Sequence, residues 1–258
     1  MAFRVLDFGG RMKIIGIVPA RYDSKRFPGK VLADILGKPL IQRVYEQAKK
    51  VELLHDVVIA TDSEEIFKVV ENFEGKAIMT SSNCKSGTDR LAEVATGLVA
   101  DIFVNIQGDE PLISPEVISK VAQALIEDKT IDIATVARKI TTQEELNNPN
   151  VVKVVIDNNG FALYFSRAQI PYVRHPLELK SLSFVSYKHI GLYAYRREFL
   201  LNFVRMEQGL LEKVEHLEQL RALENGYKIK VVITQYDSIG VDTQEDLEKV
   251  RKILKNSE

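Results

Sequence analysis

Arg21, Lys25, Arg26 and Lys30 crowd one short loop, PARYDSKRFPGK, immediately after the apolar run Ile14 to Val18. Four cations so close together suit a polyphosphate: arginine grips phosphate oxygens in a fork, lysine supplies a point charge, and Gly29 lets the backbone come near. A loop this charged can also simply face water. The spacing is neither a Walker A loop nor a dinucleotide fingerprint. Two acidic positions complement the cations. Asp109 follows Gly108 and precedes Glu110 at the end of an apolar run, where carboxylates either bind a hard divalent cation or shape a turn. Asp242, in GVDTQEDL, stands at the start of the last helix as a second metal candidate. There Asp242 with Glu245, or Thr243 with Asp246, would also serve as a cap.

Further along, a helix expected from about Leu210 to Leu223 sets Glu218 in angular position between Leu211, Val214 and Ala222. A carboxylate in an apolar stripe must be paired or used, because burying it alone is costly. Arg221, three residues on, could pair with it; a substrate could use it. Gln219 borders the same stripe. His189 opens the strand HIGLYAY, and Arg167 and Arg174 flank an irregular segment.

These residues need strand ends to gather them. Ile14–Val18, VVIAT ending at Thr61 and Ile102–Ile106 are short, β-branched and buried in pattern, and they alternate with amphipathic helices as far as Arg138. Parallel crossover units follow, and such sheets bind ligands beyond the carboxyl ends of their strands. Helix one carries Ile41, Val44, Tyr45, Ala48 and Val51 on one face; helix two carries Ile66, Val69, Val70 and Phe73, with Asp62 and Glu65 as its expected start. From Val151 the texture changes. VVKVVID and FALYFSR flank Asn158, Asn159 and Gly160, a hairpin signal. Residues 168–186 show no clear period and suit a protruding or partner-contacting segment. Two helices, the strand IKVVIT and a last helix from about Thr243 complete the pattern.

Composition narrows the classes. A chain of 258 residues, 45% hydrophobic, can bury one large α/β core. Thirty-five Lys and Arg against 36 Asp and Glu leave a charge of -1, so no global field favours nucleic acid or an anionic membrane. The single cysteine, Cys84, rules out an internal disulfide, and the four histidines have no metal-ligand spacing. No apolar run approaches the roughly 18 residues of a membrane helix, and the expectation is a cytoplasmic protein without membrane insertion. Residues 1–11 carry no period and are expected to be a dispensable extension, with Met12 as a candidate start.

Taken together, PARYDSKRFPGK, SGTDRLAE, VNIQGDEP, NPNVVKVV, ALYFSRAQIP, KHIGLYAY, LEQLR and GVDTQEDL closely resemble the 3-deoxy-manno-octulosonate (Kdo) cytidylyltransferases, from about Lys13 to the C-terminus. The resemblance implies a nucleotide-diphosphosugar-transferase-like fold, a mixed β-sheet between helices, as a single domain over 12–258. A hairpin subdomain over about 158–195 would serve a homodimer. It implies the conversion of CTP and Kdo to CMP-Kdo and pyrophosphate with Mg2+, for the lipopolysaccharide inner core. Mapped onto this sequence, it puts Arg21, Arg26 and Lys30 on the triphosphate and Ser86, Gly87, Thr88 and Arg90 on the cytidine. Asp109 and Asp242 match its metal carboxylates. Gln107, Arg167, Arg174, His189, Tyr193, Glu218 and Gln219 match positions around the sugar acid. The competing readings are a cytidylyltransferase for another acidic sugar, a nucleotide-sensing module without turnover, and a transferase using a finished nucleotide sugar.

Overall fold

The computed structural model describes residues 12–23, 27–172, 174, 186–237 and 239–256. Residues 1–11, expected from the sequence to be an extension, and Lys25 and Arg26 fall outside them. The first half alternates as its apolar periods require: β1 (Ile14–Ala20), the hairpin β2 (Asp34–Ile35) and β3 (Lys38–Pro39), α1 (Leu40–Lys49), β4 (Asp56–Thr61), α2 (Glu64–Asn72), β5 (Ala77–Met79), α3 (Gly87–Gly97), β6 (Ile102–Asn105), α4 (Pro115–Glu127) and β7 (Ile133–Lys139). Then come α5 (Gln143–Asn147), β8 (Lys153–Ile156), β9 (Ala162–Ser166), β10 (Tyr187–Arg196), α6 (Arg197–Phe203), α7 (Leu210–Glu215), α8 (Leu220–Glu224), β11 (Ile229–Thr234) and α9 (Gln244–Lys255).

The main sheet runs in the order β11-β7-β10-β6-β1-β4-β5, with β8 paired to β10 and β9 to β8. Pairing is parallel between β6, β1, β4 and β5 and between β7 and β11, while β10 is antiparallel to β6, β7 and β8. The expected mixed sheet and its hairpin are therefore present. Strand β1 explains the two-sided core. Ile14 and Val18 face one cluster with α1, α2, α4 and α9, whereas Ile15 and Ile17 face another with α3, α6 and α8. Each face of a buried parallel sheet needs such a helical cover.

The sequence pattern misplaces two details. Helix α2 is capped by Ser63, whose hydroxyl accepts from the Ile66 N–H, and not by Asp62. The single helix expected over Leu210 to Leu223 is two short ones, making three helices between β10 and β11. His216 enters the left-handed region at φ 52° and stops α7, and Leu210, Leu211 and Val214 face outward, so the apolar stripe is no core face. The buried member of α7 is Glu212, in a bidentate pair with Arg221 at 2.6 and 2.7 Å.

Lys153 fixes the hairpin. Its side chain is fully buried and its ammonium donates to the carbonyls of Asn148, Val151 and Arg167 at 2.9, 2.7 and 2.5 Å. Burial pulls its pKa down, and the three carbonyls take the hydrogen bonds that water would have supplied.

Candidate active site

The parallel strands β1, β4 and β6 end on one side of the sheet, and β10, running the opposite way, begins there. Beyond these ends lies a cavity of about 920 Å³, whose lining includes Pro19, Arg21, Lys30, Ser86, Arg90 and Asp109. Gly87, Gln107 and Asp242 also line it. Gly108 is required by close approach: a Cβ there would lie 2.6 Å from the Pro19 carbonyl oxygen. Without that contact the turn after β6 could not bring Asp109 back over the end of β1.

At the floor, Lys30 Nζ lies 2.7 Å from Asp109 Oδ2 and 2.9 Å from Asp242 Oδ1. Burial opposes the ammonium's charge, but the two carboxylates outweigh it and hold the Lys30 pKa above its ordinary value. The backbone stitches the same triad, since the Val241 N–H donates to the Asp109 carbonyl at 2.9 Å. The cap of α9 is the Thr243–Asp246 box, which leaves the Asp242 carboxylate directed at Lys30. Among the described residues no group of three or more His, Cys, Asp or Glu could hold an ion. Two carboxylates drawn around one cation still suit Mg2+, which binds through one or two carboxylates and completes its shell with phosphates and water.

One wall is the start of α3. Ser86 caps the helix in a box with Asp89, and Thr88 and Arg90 are buried. Arg90 donates to Asp62 at 2.7 Å and to Thr80. Across from it, Glu218 occupies the break between α7 and α8 and accepts from the Thr88 hydroxyl at 2.5 Å. Burial raises the Glu218 pKa, against the hydrogen bonds of Thr88 and Ser86 and the charge of Arg221. The pairing with Arg221 open from the sequence is a distant 3.9 Å contact, because Glu212 already holds that guanidinium.

The remaining sequence candidates divide. Gln107 donates to the Gly191 carbonyl at 2.8 Å, so it ties the cavity to β10. On β10, His189 Nε2 lies 2.9 Å from the Thr135 hydroxyl, beside Tyr193. Burial pushes the His189 pKa down to about 3, so at neutral pH its ring is uncharged. The Thr135 hydroxyl is also 2.9 Å from the Leu192 carbonyl. With its hydrogen given to that carbonyl, it accepts from Nε2–H, and Nδ1 is left as an acceptor. Tyr193 and Gln219 are buried. Arg167 is fastened to Glu215 by its backbone N–H and its Nε, both at 2.9 Å. Arg174 is exposed, and Arg26 lies outside the described residues. The sequence reading missed Asp62 and Thr80 as partners of Arg90; no local period marks either.

The sequence profile of the cytidylyltransferase family matches residues 15–229. A 3-deoxy-manno-octulosonate cytidylyltransferase of Geotalea uraniireducens is 54% identical over 250 residues, covering 95% of this chain and all of that protein. One from Syntrophus aciditrophicus is 52% identical over 248 residues, 94% and 97% of the two chains. A solved CMP:2-keto-3-deoxy-manno-octonic acid synthetase, complexed with CTP, superposes with a TM-score of 0.90 at 42% identity, covering 95% of this chain and 100% of that one. A 4-diphosphocytidyl-2C-methyl-D-erythritol synthase from Anaerococcus prevotii, at 17% identity and a TM-score of 0.64, shares the fold. With the profile across most of its length and relatives above half identity across nearly all of it, the chain belongs to the cytidylyltransferase family, among the 3-deoxy-manno-octulosonate cytidylyltransferases.

Proposed function

We infer that this chain transfers the cytidylyl group of CTP to Kdo, releasing pyrophosphate and forming CMP-Kdo for lipopolysaccharide inner-core synthesis. The observation that carries the reading is the Lys30–Asp109–Asp242 triad, set in the same cavity as Arg21 and the Ser86–Arg90 segment. In the reaction the sugar's 2-hydroxyl oxygen forms a bond to the α-phosphorus, the bond from that phosphorus to the bridging oxygen breaks, and pyrophosphate leaves with the electron pair. The hydroxyl proton passes to solvent; no histidine base is required. Arg21, Arg26 and Lys30 would neutralise the β- and γ-phosphates as charge moves onto the leaving group. Ser86, Gly87, Thr88 and Arg90 would hold the cytidine.

Asp109 and Asp242 are the residues that would hold Mg2+. When bound, the ion supplies positive charge to the phosphates and lowers the pKa of the attacking hydroxyl. Around the sugar acid, Arg167 and Arg174 would offer charge, Gln107 and Tyr193 hydrogen bonds, and the neutral His189 an acceptor. Glu218 and Gln219 would take hydrogen bonds from its hydroxyls, which selects a hydroxyl-rich substrate. A homodimer is part of the same proposal. It is supported by exposed apolar side chains on β9 and α7, where Leu163, Leu210 and Val214 are 62%, 77% and 78% exposed. A cytoplasmic location is part of the proposal too; among the described residues no helix is long and apolar enough to cross a membrane. The test is pyrophosphate release across the four nucleoside triphosphates and a panel of acidic sugars. CTP with Kdo should exceed every other pair, and a preference for a different sugar acid would refute the assignment.

A further inference from the structure

Arg90 is placed at an electrostatic disadvantage. It lies in the first turn of α3, where the helix dipole disfavours a cation, and it is only 4% exposed, so its charge is also largely removed from water. The buried residues that follow it on α3, Leu91, Ala92, Val94 and Ala95, are apolar, and the buried residue before it, Thr88, is turned to Glu218, so neither calls for a guanidinium there. Its surroundings nevertheless serve it. Asp62, directly after β4, lies 2.7 Å from one terminal nitrogen, and Thr80, directly after β5, takes the other. Asp62 is not used by the helix beside it, because Ser63 caps α2. Two adjacent strand ends therefore grip a guanidinium whose third side borders the cavity that also holds Lys30, Asp109 and Asp242.

We propose that Asp62 is a positioning residue for nucleotide recognition, acting through Arg90. Its carboxylate offsets the cost of burying the guanidinium and holds its plane in one orientation. The donors not taken by Asp62 and Thr80 then meet acceptor atoms of the nucleotide without a search through rotamers. Asp62 has no part in bond making, so the effect falls on CTP binding and leaves the sugar acid and the chemical step alone. The inference rests on the reading that this cavity takes CTP.

The test uses the whole enzyme and the variants Asp62→Asn, Arg90→Lys and the double variant. Asp62→Asn keeps the shape and removes the charge. It should raise KM for CTP by about tenfold, the scale of one lost charge-assisted hydrogen bond. The kcat at saturating CTP and KM for Kdo should stay within about twofold. In the Arg90→Lys background the same change should add little, because the group through which Asp62 acts has gone. If Asp62→Asn does not fold, Asp62→Glu, which keeps the charge on a longer arm, should still raise KM for CTP alone. An unchanged KM for CTP with a lowered melting temperature would overturn the proposal by showing a purely structural tie. A full tenfold cost in the Arg90→Lys background would overturn it as well. A wild-type enzyme that prefers a triphosphate other than CTP would refute instead the reading on which the inference stands.

Discussion

Replacing Glu218 by alanine separates two jobs that a carboxylate can do beside the first turn of α3. Had it been the partner of Arg221, its loss would strand a buried cation, at a cost of about 3 to 5 kcal/mol. The structure gives that partnership to Glu212, whose bidentate contacts are 2.6 and 2.7 Å with side chains 8% and 6% exposed, while Glu218 stands 3.9 Å away and 30% exposed. What Glu218→Ala removes is the hydrogen bonding with Thr88 and Ser86, and it also removes the desolvation that raises the Glu218 pKa. The two changes oppose each other, and the net effect on stability should lie within about 1 kcal/mol. Glu212→Ala, in contrast, should cost about 3 to 5 kcal/mol. Catalysis should show the reverse order. A sugar hydroxyl donating to an ionised carboxylate contributes about 1.5 to 3 kcal/mol, which is about 10- to 150-fold in kcat/KM for Kdo. CTP affinity should stay near its original value. Denaturant unfolding of both variants, with sugar kinetics at saturating CTP, measures all of this. A Glu218→Ala protein destabilised by 3 kcal/mol or more, with unchanged kcat/KM for Kdo, would refute the reasoning.

The raised Glu218 pKa has a sign that can be checked. The folded protein binds this proton more tightly than the unfolded chain does, so its contribution is fully favourable below the ordinary value of 4.5 and is lost as pH rises through the folded value. Glu218→Gln, which keeps an acceptor for Thr88, should therefore melt higher than wild type near neutral pH, and the gap should close on acidification to about pH 4; melting curves showing a gap that widens with acid would contradict the cause assigned. Asp109→Asn and Asp242→Asn should each lower turnover by orders of magnitude with the fold retained, and the double variant should be little worse than either, because residues holding one ion act as a unit. Steady-state rates that multiply instead would rule out a shared site.

Much of the fold was legible because each apolar run had one period. Ile14–Val18 and Ile102–Ile106 could be placed as buried parallel strands without knowing their neighbours, and Gly108 then brought Asp109 to a strand end. Distance along the chain hid the rest. Lys30 meets Asp242 across a separation of 212 residues, and Arg90 meets Asp62 across 28, with no periodicity linking either pair. Helical periodicity misled at Glu218 for a physical reason. The same 3.6-residue spacing that marks a core stripe also arises across two short helices with a left-handed residue between them, and His216 is not a residue that announces such a break. His189 shows a different limit: its charge depends on how completely β9 and β10 cover the ring, and residue type alone gives only the unperturbed value.

The break at His216 also explains why Glu218 is not the partner of Arg221. An unbroken helix would set Glu218 three residues before Arg221 on one face, close enough to neutralise it. Ending α7 early turns Glu212 back onto Arg221 instead, and Glu224 takes the backbone N–H groups of Leu211 and Glu212 that α7 leaves open at its start. The acidic residues Glu212, Glu215 and Glu224 of the two helices are then committed to Arg221, to Ser166 and the Arg167 N–H, and to the start of α7, which leaves Glu218 outside those ties. Glu218 is carried to the start of α3, where Thr88 and the helix dipole support its ionised form next to Ser86 on the cavity lining. Its position beside the start of α3 thus follows from two local events, a left-handed residue and a relocated ion pair, and neither can be inferred from the stripe alone.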